Sequence, residues 1–251
     1  MKKNAPAYDE QEARRDLVAA LRSAERLGLS EGVCNHFSLA LPGRAGHFLI
    51  NPQGLHWSEV TPADLVVVDG DGNHVSGKYT VEPTAFFIHG RIHGANPRAQ
   101  CVLHTHMPFA TTLTSIEEGR LAWSSQNALR FHGRGAYDDA YNGLAVSAEE
   151  GERIASKLRD ADVLFLANHG VIVCGQSVAY AFDDLYYLER ACMLQVLAQG
   201  TGGRLKVVPN EIAAETRAQM DAERRQSDLH LAALKRILDR VQPGWSQTRD
   251  G

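Results

Sequence analysis

The period of the sequence changes at Val81. Before it lie three short β candidates, "HFSLALP", "HFLINP" and "DLVVVDGDG", punctuated by Gly and Pro. The D-G signal that ends the third predicts a hairpin. After Val81, "EPTAFFIHGRIHGANP" carries a helical pattern, with Pro83 in its first turn and Asn96-Pro97 beyond its end. Strands and helices then mix. "AQCVLHTH" reads as a strand, "PFATTLTSIEEG" as a helix and "RLAWSSQ" as a strand candidate. "SAEEGERIASKLRD" opens a helix with Ser147 as N-cap and Glu150 completing a capping box. "DVLFLANHGVIVCG" is two β runs around "ANHG", and a long amphipathic helix follows it to Gly200. An opening helix over 9–27 stops at Gly28, and a last, mostly charged helix starts near Asn210. Such a chain is α/β, with a central, largely antiparallel sheet and helices on both sides.

Composition excludes several functions. The net charge of −4 is spread along the chain, with no basic stretch interleaved with aromatics, so no nucleic-acid partner is expected. No apolar run approaches the roughly 18 residues of a membrane span. The two lysines of the opening stretch have no apolar segment behind them, which argues against a secretory signal. Cys34, Cys101, Cys174 and Cys192 form no C-x-x-C pair and lie in or beside apolar runs, as reduced thiols do. A cytoplasmic location is the simplest expectation. With no repeat or long linker, residues 1–251 read as one domain, with a core over about 10–200 and a helical extension over about 210–240.

The chemistry starts at "CVLHTH". Residues two apart on a strand share a face, so His104 and His106 project together while Thr105 points away. Two neutral imidazoles side by side are metal ligands in waiting, whereas buried rings without partners are costly. A third ligand is needed for a trigonal or tetrahedral site. His169 supplies it, at the break between two β runs, with Asn168 and Gly170 shaping the turn. His89 and His93, four apart on a helix, read as a packing or hydrogen-bonding pair. The remaining histidines, His36 among them, read as structural.

"CVLHTHMPFATTLT" followed some sixty residues later by "LFLANHG", with "CNHFSLALPG", "FLINPQG" and "SEVTPADLVVVDGDG" in order before them, resembles the class II aldolase and adducin head family over roughly residues 10–200. The resemblance implies a three-layer αβα sandwich. It also implies a homotetramer with active sites between subunits, and one divalent ion per subunit held by His104, His106 and His169. Zinc is the first expectation, with manganese or iron as alternatives, since imidazole accepts all three.

The sequence departs from the family pattern in three places. The sugar-phosphate aldolases carry a catalytic glutamate four residues before the histidine matching His89. Here that position is Ala85, and Glu82 is the nearest carboxylate. Serines that bind phosphate in the aldolases are replaced around Gln53 and "TVEP", while Asn35 and Gly54 remain. Two lost hydroxyl donors, each worth about 1–3 kcal/mol, point to a non-phosphorylated substrate. The aldolases' acid tyrosine, or the related dehydratases' glutamate, is absent near Gln126 and Asn127. Gln126 and a clamp by Arg130 or Arg134 on a substrate carboxylate are the expectation there. The expected function is therefore a metal-dependent carbon–carbon lyase, by aldol cleavage or decarboxylation, on a small hydroxy, keto or aromatic carboxylate. The alternative is a three-histidine non-haem Fe(II) oxygenase cleaving aryl-pyruvate or mandelate side chains. An adducin-like binding module comes third.

Overall fold

The computed structural model describes residues 8–248. The lysine-bearing opening stretch read above as no secretory signal falls mostly outside them. Helix α1 (Glu10–Arg26) is capped by Asp9, whose carboxylate accepts the Glu12 amide at 2.9 Å, and Gly28 ends it at φ +70°. The strands follow as β1 (His36–Ala40), β2 (His47–Ile50), β3 (Val66–Asp69) and β4 (His74–Ser76). The β3–β4 hairpin turns on the Asp69 carboxylate, which accepts the amides of Asp71 and Asn73. Then come α2 (Pro83–Ala95), β5 (Cys101–Thr105), α3 (Pro108–Thr114), α4 (Gln126–Leu129), β6 (Gly135–Asp138), α5 (Ala148–Leu158), β7 (Val163–Leu166) and β8 (Gly170–Gly175). Three helices close the chain, α6 (Val178–Gly200), α7 (Asn210–Ala222) and α8 (Arg225–Val241).

The eight strands form one sheet in the order β4-β3-β2-β1-β5-β8-β7-β6, antiparallel except for β6 against β7. Residues of alternate parity feed two cores. Phe37, Leu103 and Val173 pack with Leu17 of α1 and Phe182 and Leu185 of α6 on one face. Val102, Ile172 and Cys174 pack with Ile88 and Ile92 of α2 and Ile154 of α5 on the other. Helices α2 and α5 touch through Gly151, where a Cβ would lie 2.2 Å from the Phe87 carbonyl oxygen. This is the αβα sandwich expected.

Three expectations are corrected. "RLAWSSQ" is not a strand: the Leu121 amide donates to the Tyr137 hydroxyl and the Ala122 amide to Gln195 Oε1, so side chains take the place of a ladder. Ser147 caps α5, but Glu150 pairs with Arg153 at 2.8 and 2.7 Å instead of closing the capping box. The last helix is two, broken at Glu223 and Arg224; α7 is nearly all solvated, whereas α8 buries Leu231 and Leu238.

Candidate metal centre

His104 lies in the central strand β5, directly across from His36 of β1. His106 stands just past the strand end, before Pro108 opens α3. His169 sits at the tip of the β7–β8 hairpin, where Asn168 takes φ +55° and hands its amide to the Thr114 carbonyl at 2.9 Å. Gly170 is required there, because a Cβ would lie 2.5 Å from the Thr105 carbonyl oxygen and 2.8 Å from His106 Cδ2. The hairpin thus drops His169 against the other two rings, at centroid distances of 4.8 and 4.9 Å. The nitrogens offered by the three residues all lie within 4.8 Å of one another.

Hydrogen bonding fixes the tautomers. His104 Nδ1 donates to the Val171 carbonyl at 3.0 Å, and His106 Nδ1 to Glu31 Oε2 at 2.5 Å. With both rings neutral, both Nε2 atoms are then acceptors, and they face each other at 3.2 Å. Two lone pairs so placed suit a cation shared between them. Tetrahedral zinc with nitrogen ligands at about 2.0–2.1 Å sets its ligands about 3.3 Å apart, so the pair fits a metal ion. Burial, with the neighbouring imidazoles, holds His104 well below the ordinary value, and burial first, then His106 and His36, lowers His169 to about 4. Both rings are neutral near pH 7.

A second layer surrounds this cluster. The His36 ring stacks on His104 at 5.2 Å, and His36 Nε2 meets Glu82 Oε2 at 2.7 Å. Glu82 is the N-cap residue of α2 but makes no capping bond; it turns to His36 and accepts the Thr84 hydroxyl at 2.6 Å. The hydrogen bond from His36 is the largest influence on the Glu82 carboxyl and keeps it below its usual range despite partial burial. Ala85, at the family glutamate's position, is a core residue against Phe48 and Ile50. His89 Nδ1 and His93 Nε2 share the Ser38 hydroxyl at 2.6 and 2.7 Å, and His93 Nδ1 reaches the Ala99 carbonyl at 2.7 Å. They form the hydrogen-bonding pair expected of them.

The other candidates scatter. Asn35 is buried beside the site; its Oδ1 accepts the Glu31 amide at 2.8 Å and its Nδ2 has no partner among the described residues. Gly54 is exposed in an open loop at φ +81°. Gln126 is exposed at the start of α4. Arg130 and Arg134 do not stand free for a substrate. Arg130 donates to Asp183 at 2.6 Å; Arg134 donates to Asp162 at 2.7 Å and Asp184 at 2.6 Å. Asp184 is fully buried and also receives Arg224 at 2.7 and 2.6 Å, so this cluster ties α8 to α6. A cavity of about 1350 Å³ opens at the other end of β1, is lined by Arg44, Arg91 and Arg159, and contains none of the three histidines.

Sequence reasoning missed Glu31 and took His36 as structural. For His36 the signal lay in the strand register that sets it opposite His104. Tyr141, its ring 6.5 Å from that of His169, is a further neighbour of the cluster.

Fold and site together define a three-layer αβα protein with a three-imidazole cluster at the end of its central strands. The chain belongs to the Class II Aldolase and Adducin N-terminal domain family, whose pattern it matches over residues 15–196. It is similar over 98% of both chains to the crystal structure of an aldolase II superfamily protein from Pseudomonas syringae, at 35% identity and a TM-score of 0.88. It is 33% identical to a 4-hydroxy-3-prenylphenylpyruvate oxygenase/4-hydroxy-3-prenylbenzoate synthase of Streptomyces roseochromogenus, covering 88% of this chain and 82% of that one. It is equally identical to the decarboxylase NovR of Streptomyces niveus, covering 88% of this chain and 84% of the relative. No helix among the described residues is long and apolar enough to cross a membrane.

Proposed function

We propose that the chain is a divalent-metal-dependent carbon–carbon lyase acting on a small, non-phosphorylated hydroxy or keto acid or an aromatic carboxylate. The observation that carries this reading is the convergence of the Nε2 atoms of His104 and His106, 3.2 Å apart, with His169 closing the set. These three residues would hold one ion per subunit, zinc before manganese or iron. When bound, the ion supplies Lewis acidity toward two adjacent substrate oxygens.

Glu82 decides between the two lyase reactions. The family glutamate's position is the core residue Ala85, and the Glu82 carboxylate is already engaged by His36 and Thr84. Aldol cleavage needs a proton taken from a hydroxyl; decarboxylation does not. Decarboxylation is therefore favoured: the bond to the carboxyl carbon breaks, CO2 leaves, and a proton takes its place at carbon. In this reading the Glu82–His36 pair, 2.7 Å apart, relays that proton from solvent to the reacting carbon. Asn35 offers a free amide donor to a substrate oxygen. The fourfold assembly implied by family membership belongs to the same proposal, and light scattering on the purified protein tests it.

An Fe(II) oxygenase is the second reading. The cluster contains three histidines and no carboxylate, and one relative carries an oxygenase name. The deciding experiment loads the protein with each metal. Hydroxy-keto acids and aromatic dicarboxylates are screened for CO2 or aldehyde release, and aryl-pyruvates and mandelates for oxygen uptake. CO2 or aldehyde release under nitrogen supports the lyase. Turnover only with iron and oxygen overturns it.

A further inference from the structure

The ligands of the cluster do not lean on equal partners. His104 Nδ1 donates to a neutral backbone carbonyl at 3.0 Å, whereas His106 Nδ1 donates to the Glu31 carboxylate at 2.5 Å. Glu31 comes from the loop between α1 and β1, and that loop is held at its base. The Glu31 amide donates to Asn35 Oδ1 at 2.8 Å, and the Cys34 amide to the Glu31 carbonyl at 3.1 Å. Asn51 Nδ2 donates to the Asn35 carbonyl at 3.3 Å, and Asn51 Oδ1 takes the Phe37 amide at 2.8 Å. Two buried amides thus pin the loop to the start of β1, and the carboxylate stands over His106.

We propose that Glu31 is a positioning residue for metal uptake: it holds His106 with Nδ1 protonated and aims Nε2 at the shared ligand position. This rests on the metal reading above. A carboxylate behind an imidazole fixes the ring and raises its donor strength, and losing such a partner typically weakens metal affinity about 10–100-fold. Stability gives no competing reason for the contact. The Glu31 side chain is 64% exposed in the single chain, and exposed pairs of this kind contribute little to folding. The bond therefore separates metal affinity from folding.

The test measures zinc affinity by competition with a chromogenic chelator, together with the visible spectrum of the cobalt-loaded protein. Wild type, Glu31→Gln, Glu31→Ala and His104→Ala are compared, with urea midpoints of the metal-free forms as a control. Glu31→Ala is expected to bind zinc about 10–100-fold more weakly, with an altered cobalt spectrum and an unchanged metal-free midpoint. Glu31→Gln, which still accepts the Nδ1 proton but carries no charge, falls between. Wild-type affinity in Glu31→Ala, beside a His104→Ala that fails to bind, overturns this inference alone. A wild-type chain that takes up neither zinc nor cobalt overturns the metal reading and this inference with it.

Discussion

Glu82 Oε2 lies 2.7 Å from His36 Nε2, and through the His36 ring the carboxylate is coupled to His104. A helix N-cap position has become part of the wall of the histidine cluster. The carboxylate that family aldolases place one turn inside this helix is here Ala85, packed in the core. Pro83 opens the helix and leaves Glu82 extended at ψ 132°.

Replacing Glu82 by Gln keeps the shape and removes the charge. Its turnover on a substrate of the wild-type enzyme is expected to fall about a hundredfold or more, with metal content unchanged. Steady-state kinetics beside metal analysis checks this. Unchanged turnover takes Glu82 out of the chemistry.

The arginine cluster is expected to matter for folding. Asp184→Asn strips the carboxylate from between Arg134 and Arg224, leaving buried charge without its counter-ion. Breaking a pair of this kind costs about 3–5 kcal/mol. Urea denaturation should show a loss of that order. A shift below about 0.5 kcal/mol would mean the cluster is held by something else.

How much of this was legible beforehand follows from the range of each signal. The β runs and the His104–His106 pair are local patterns of period two, and the sequence shows them directly. His169 needed only the "ANHG" break between apolar runs. Strand β6 went unseen because "GAYD" is a four-residue, partly exposed edge strand without β-branched residues. Arg130 and Arg134 were misassigned because their partners, Asp183 and Asp184, lie some fifty positions away in α6. Glu31 meets His106 across 75 positions, and nothing local marks it. Pairings of that range are set by the sheet register, which one sequence does not display.

Acid should unfold the metal-free chain in a definite window. Burial keeps His89 and His104 well below the ordinary imidazole value, and lowers His93 and His169 to about 4. An unfolded chain protonates these rings near 6.5. Between those values the unfolded state binds more protons, so the stability is full above about pH 6.5 and is lost as the pH falls toward 4. Each ring contributes up to about 1.4 kcal/mol per pH unit. Urea midpoints of chelator-treated protein should drop clearly between about pH 7 and about pH 5. A flat profile would show that the rings are not held neutral.

Gly170→Ala tests the hairpin that carries His169. The new methyl group meets the Thr105 carbonyl and the His106 ring, so one or both must move. Overpacking of this kind costs about 1–3 kcal/mol, and zinc affinity should fall alongside stability. Full zinc affinity in this variant would show that the cluster tolerates displacement of His106.

The central claim is tested most directly by the metal content of protein purified without oxygen and without added metal. The account predicts close to one divalent ion per chain, zinc or manganese for the lyase, lost in both His104→Ala and His169→Ala. Full occupancy in either variant, or a wild-type chain that holds no metal and acquires none, would contradict it. Stoichiometric iron would keep the site and turn the function to the oxygenase.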